Sequence, residues 1–91
     1  MNKTQDAIEK LNEAHSFPGP YTFRVIGLNQ PSFETAALAA LAPYRVTKRG
    51  EKFSANQKHH SLTLEIWAAC AEDVLAAYNV LKDLPDLKFI L

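Results

Sequence analysis

From Ser61 onward the chain alternates, with Leu62, Leu64 and Ile66 on one side and Ser61, Thr63, Glu65 and Trp67 on the other. A period of two marks a strand with one face in a core and the other at solvent or an interface. After Cys70 the period lengthens. Val74, Ala77, Tyr78, Leu81 and Leu84 recur at helical spacing, with Glu72, Asp73, Asn79, Lys82 and Asp83 on or towards the other side. Pro85 ends this helix, since proline lacks the amide a helix needs. Leu87, Phe89 and Leu91 then alternate again, which predicts a last strand with Leu87 and Phe89 in the core and Lys88 and Ile90 on the opposite face.

Earlier segments follow the same logic. Thr4 to Ala14 predicts a short helix with Thr4 as cap, Asp6 in the first turn and Ile8 and Leu11 on one face. Its apolar stripe is thin, so it must dock on the body or fray. Phe17, Pro18, Gly19 and Pro20 break it. Tyr21 to Ile26 reads as a strand, with Tyr21, Phe23 and Val25 on the core side and Thr22, Arg24 and Ile26 on the other; Gly27 closes it. Pro31 suits a first helical turn, and Phe33, Ala37, Leu38 and Leu41 give the next helix its apolar face until Pro43. Tyr44 to Arg49 is expected as a charged edge strand, and the polar, aperiodic stretch from Gly50 to His60 as a long hairpin loop.

The order strand, helix, strand, strand, helix, strand predicts an α+β fold. The expected form is a ferredoxin-like βαββαβ sandwich, with two helices on one face of a four-stranded antiparallel sheet and a short N-terminal helix in addition. The expected division is a helical extension over residues 1–16 and one domain over 17–91. Ninety-one residues with a 47% apolar fraction suffice for one modest core.

The formal net charge is zero, which gives no global reason to expect nucleic acid or an anionic membrane. Between residues 45 and 60, however, Arg45, Lys48, Arg49, Lys52 and Lys58 stand against Glu51 alone. This basic hairpin supports an alternative reading as a nucleic-acid-associated protein. One cysteine permits no intramolecular disulfide, the N-terminus lacks a signal-peptide pattern, and no apolar run approaches the roughly 20 residues that span a bilayer. The expected setting is the cytoplasm.

The residues FPGPYTFRVIG, followed by SANQKHHSLTLEIWAACAEDVLAAYNVL and a closing DLKFIL, resemble the YbeD-like family of small bacterial proteins. The resemblance covers Phe17 to Leu91. It implies a βαββαβ fold similar to ACT regulatory modules, and it supplies no catalytic residues. The N-terminal extension and the alanine-rich helix after Gly27 depart from the family pattern.

No catalytic constellation is visible: no nucleophile has a base, no glycine loop cradles phosphate, and no paired carboxylates are spaced for acid–base chemistry. The expectation is a nonenzymatic domain without a cofactor. Adjacent His59 and His60 point to opposite faces of a strand and no carboxylate stands at metal spacing, so no metal site is expected. Cys70 falls at a helix N-cap, where a dipole could activate it, although a buried or semi-buried structural cysteine is the plainer expectation. Trp67 is the one aromatic on the expected open face, too few for the base stacking of RNA-recognition sheets.

By analogy with ACT-like modules, the turn after the first strand is the expected ligand site, with Gly27 allowing close approach and Asn29 and Gln30 as hydrogen-bonding groups. Arg24, Glu65, Trp67 and Lys88 are the expected interface residues of the open face. The resulting expectation is a regulatory or interaction domain that forms a homodimer and senses a small molecule or binds a protein partner.

Overall fold

The computed structural model describes residues 3–91. Helix α1 (Lys3–Ala14) leads into β1 (Gly19–Leu28), α2 (Pro31–Leu41), a 3-10 turn (Ala42–Tyr44), β2 (Thr47–Phe53), β3 (His59–Ala68), α3 (Ala71–Leu81) and β4 (Leu87–Ile90). The four strands form one antiparallel sheet in the order β2-β3-β1-β4. This is the ferredoxin-like α+β arrangement, with α2 and α3 on one face.

The two central strands are the most apolar, because their alternation is the cleanest. Phe23 and Val25 on β1 pair with Leu64 and Leu62 on β3, and all four are buried with Ile66 beneath α2 and α3. The helices contribute Phe33, Ala37 and Leu41, and Ala71, Val74, Ala77 and Leu81. Small alanines at the contact let the helices sit close to the sheet. Each large buried side chain contributes about 1.5–3 kcal/mol by leaving water.

Helix α1 docks. No residue in it is fully buried, but Leu11 packs against the core, and His15 at its end meets the Tyr21 ring edge-on at 4.9 Å. Tyr78, expected on the apolar face of α3, is exposed. It lies one step around the helix from Ala77, beside Lys3, Thr4 and Ala7 of α1.

The second strand starts later than the pattern indicated. After Leu41 the backbone tightens into the 3-10 turn, and Arg45 takes φ 54°, so Tyr44 and Arg45 belong to a reversal and β2 begins at Thr47. Much of the expected hairpin loop is strand. Gly50 to Phe53 and His59 to His60 are paired, and the true connection is Ser54 to Lys58. Polar residues at an edge carry no hydrophobic period, so the ladder with β3, not burial, holds them in place.

The last strand is phased differently from the alternation. Val25 faces Ile90, Ile26 faces Phe89 and Gly27 faces Leu87, leaving Lys88 as an extra residue in a bulge. Leu87 and Ile90 therefore both pack against the core, while Phe89 is 63% exposed on the open face. Gly27 serves this packing directly. A Cβ there would lie 2.5 Å from the Phe33 ring and 2.8 Å from the Asp86 carbonyl oxygen.

Cys70 caps α3 in extended geometry, as the sequence indicated, but it is exposed rather than buried. Its thiol makes no capping bond; instead the Asp73 carboxylate accepts from the Ala69 amide at 2.9 Å.

Candidate functional site

Where β2 leaves the sheet edge, a second bulge reorganises the surface. Lys48 pairs with Leu64 and Gly50 with Thr63, so Arg49 is extra. Lys48 and Glu51 thereby fall on the helix-covered side with Phe53, opposite Leu62 and His60 of β3. Arg49 turns to the open face, where it donates to Glu65 at 2.8 Å.

The result is a cleft of about 360 Å³ between the sheet edge and α2. Its floor and hairpin wall are Glu51, Phe53 and His60; its other wall is Asn29, Gln30 and Pro31 with Glu34, Thr35 and Leu38 of α2. The two walls are tied together. The Asn29 side-chain amide donates to the Gln57 carbonyl at 2.9 Å, and the Asn29 backbone amide donates to the Lys58 carbonyl at 2.9 Å. The hairpin tip is braced internally, with Ser54 Oγ accepting from the amides of Lys58 and His59 at 3.2 and 3.0 Å.

Charge in the cleft is concentrated at one end. Lys48 Nζ donates to Glu34 at 3.1 Å and contacts Glu51. The Glu51 carboxylate, with Glu34 beside it, holds the Lys48 ammonium above its usual range. Lys48 in turn holds Glu51 below the usual carboxylate range. His60 lies alongside with its side chain 6% exposed and Nε2 3.5 Å from Glu51 Oε1. That nitrogen is buried with no hydrogen-bond partner. An unsatisfied buried polar atom costs about 1–3 kcal/mol, so its position calls for an account. Phe53 stacks on the imidazole at 4.2 Å and 12°, which fixes the plane of the ring.

Of the expected ligand residues, Asn29 and Gln30 line the cleft. Gly27 does not. It is buried behind the cleft, where its missing side chain makes room for Phe33. Glu34, Glu51 and His60 were missed, and with them a group in which one ligand atom from each lies within 4.8 Å of the others. The carboxylates come from a helix and a different strand, so spacing along the sequence carried no sign of them. His59 and His60 do point to different surroundings, as adjacent strand residues must.

On the open face, Arg24, Glu65 and Trp67 occupy the side opposite the core, with Trp67 48% exposed. Lys88 is the bulged residue of β4. The apolar residues there are divided. Trp67 pairs with Pro20 at one end of β1 and Phe89 pairs with Ile26 at the other, about 20 Å away at the rise of a strand. Thr22, Arg24, Thr63 and Glu65 fill the interval. The basic hairpin is also less basic in space than in sequence, because Lys48 and Arg49 are each engaged by carboxylates. Among the described residues no helix is long and apolar enough to cross a membrane.

The fold is that of ACT domains. The solution structure of the ACT domain from the GTP pyrophosphokinase of Chlorobium tepidum superposes with a TM-score of 0.61, covering 80% of this chain and 83% of that one at 10% identity. The chain belongs to the family described as Protein of unknown function (DUF493), whose profile matches residues 12–91. A UPF0250 protein of Cronobacter sakazakii is 32% identical over 85 residues, covering 90% of this chain and 97% of that protein. These findings bear out the YbeD-like resemblance of the sequence.

Proposed function

We propose that this protein is a nonenzymatic regulatory domain of the cytoplasm that binds a small polar metabolite in the cleft between α2 and the β2–β3 hairpin, and that it acts as a homodimer. The observation that carries the reading is the cleft itself. It has polar lining from Asn29, Gln30, Thr35 and Glu34, apolar lining from Leu38 and Phe53, and room for an amino-acid-sized molecule. The fold shared with the ACT domain of a GTP pyrophosphokinase supports a regulatory role. Pairing of two copies through the open face would cover Trp67.

The test is a thermal-unfolding screen of the protein against amino acids, nucleotides and small organic acids. A ligand that binds only the folded state raises the midpoint, by about 2.7 kcal/mol of stability at a hundredfold excess over Kd. Thr35→Arg, on the exposed side of α2, should fill the cleft and abolish the shift. A library without a single stabilising compound, or a shift that survives this substitution, counts against the cleft. Sedimentation equilibrium addresses the dimer: Trp67→Glu should yield monomers, and a wild-type protein that is monomeric at high micromolar concentration removes that part of the reading.

A further inference from the structure

The geometry points to a divalent transition-metal site formed by Glu34 of α2, Glu51 of β2 and His60 of β3, in which the metal replaces the Lys48 ammonium. The first observation is proximity. Carboxylate oxygens and an imidazole nitrogen bind zinc at about 2.0–2.2 Å, so three ligand atoms around one metal lie about 3.3–3.8 Å from one another. Here one atom from each residue lies within 4.8 Å of the others, a separation that side-chain adjustments of about an ångström would close.

The second observation is independent of the acidic pair. Lys48 accounts for the two carboxylates, but His60 Nε2, buried beside them, makes no well-formed hydrogen bond, the nearby carboxylate oxygen on Glu51 lying 3.5 Å away. A cation with affinity for nitrogen satisfies all three groups at once. That requirement selects the zinc, cobalt, nickel and copper class over calcium or magnesium, which take oxygen ligands. Packing prepares the imidazole for this role: Phe53 stacks on one face, and the Phe33 ring lies 6.5 Å away at 65°.

Lys48 has the place of a resident cation that a metal must displace. Its side chain is partly exposed beside the cleft-lining Glu34 and Glu51, so it can swing into solvent without disturbing the core. Three protein ligands would leave further coordination positions directed at the cleft. The inference does not rest on metabolite binding, since the probe is metal alone.

The experiment titrates the chelator-treated full chain with Co²⁺, read by its visible absorption, and then with Zn²⁺ as competitor. Wild type should bind one equivalent. Glu34→Gln and His60→Gln should each weaken binding about tenfold or more, and Lys48→Met should tighten it by removing the competing charge. Thermal unfolding checks the His60 variant. Glu34 lies towards the surface of α2, so its variant remains informative even if the other fails to fold. Absence of Co²⁺ binding by wild type at millimolar metal overturns the site. Binding unaltered by Glu34→Gln does so too, since the metal would then not be held by the three-residue set, and binding no tighter in Lys48→Met overturns the displacement. None of these outcomes bears on whether an organic molecule enters the cleft.

Discussion

The two edges of the sheet carry the same irregularity and use it for opposite ends. In β2 the extra residue Arg49 brings Lys48 and Glu51 onto one face; in β4 the extra residue Lys88 brings Leu87 and Ile90 onto one face. Regular alternation would have separated the members of each pair. At β4 the paired residues are aliphatic, and the bulge adds two side chains to the core. At β2 they are charged, and the bulge assembles a polar cluster at the mouth of a cleft. A bulge sets which side chains share a face, and their chemistry decides whether that face becomes core or site.

Stability measurements can break this comparison, and the centre of the sheet sets the scale. Leu64, fully buried on β3, should cost about 2–5 kcal/mol when changed to Ala, read by denaturant titration. An edge substitution that costs more would mean that the edges, not the central strands, carry the core. Gly27→Ala comes next. Its new methyl would press on the Phe33 ring and the Asp86 carbonyl, and overpacking of this kind costs about 1–3 kcal/mol.

The β4 bulge is tested most directly by a pair of substitutions. Ile90→Ala should destabilise by about 1–2 kcal/mol, less than a fully buried aliphatic because Ile90 is only half-buried. Phe89→Ala should change stability by less than about 0.5 kcal/mol despite removing the larger side chain. The reverse order would restore simple alternation and remove the bulge. Smallest of all should be Arg49→Ala at the other edge, where the ion pair with Glu65 is solvated. The unfolding midpoint should not move, and a clear loss would show that the bulged arginine anchors the strand.

What could be read from the sequence divides along the same line. The central strands and both covering helices declared themselves, because burial of one face imposes a period on the residues that make it. Leu62, Leu64 and Ile66 are the plainest case, and Phe33, Ala37 and Leu41 follow. At the edges the period is interrupted by one residue, so Phe89 reads as core and Ile90 as surface, the reverse of their places. The hairpin failed for a related reason: its strand is held by backbone pairing, which leaves no mark on side-chain polarity. Of the cleft, Asn29 and Gln30 were legible from the turn after β1. Glu34, Glu51 and His60 come from three different elements, and their proximity depends on the β2 register.

The clasp between Asn29 and the hairpin tip restricts how this protein can diverge. Residues 55 to 57 are exposed, and the bond from Gln57 to Asn29 uses its backbone carbonyl, as does the bond from Lys58. Substitution at Ala55, or a replacement at Gln57 that tolerates its φ of 61°, leaves both acceptors available. An added or deleted residue would carry the carbonyls out of reach and separate the cleft walls. The tip can therefore change in spelling more readily than in length, within the limits set by the Asn56 side chain, which accepts from the Lys58 amide, and by the left-handed backbone of Gln57.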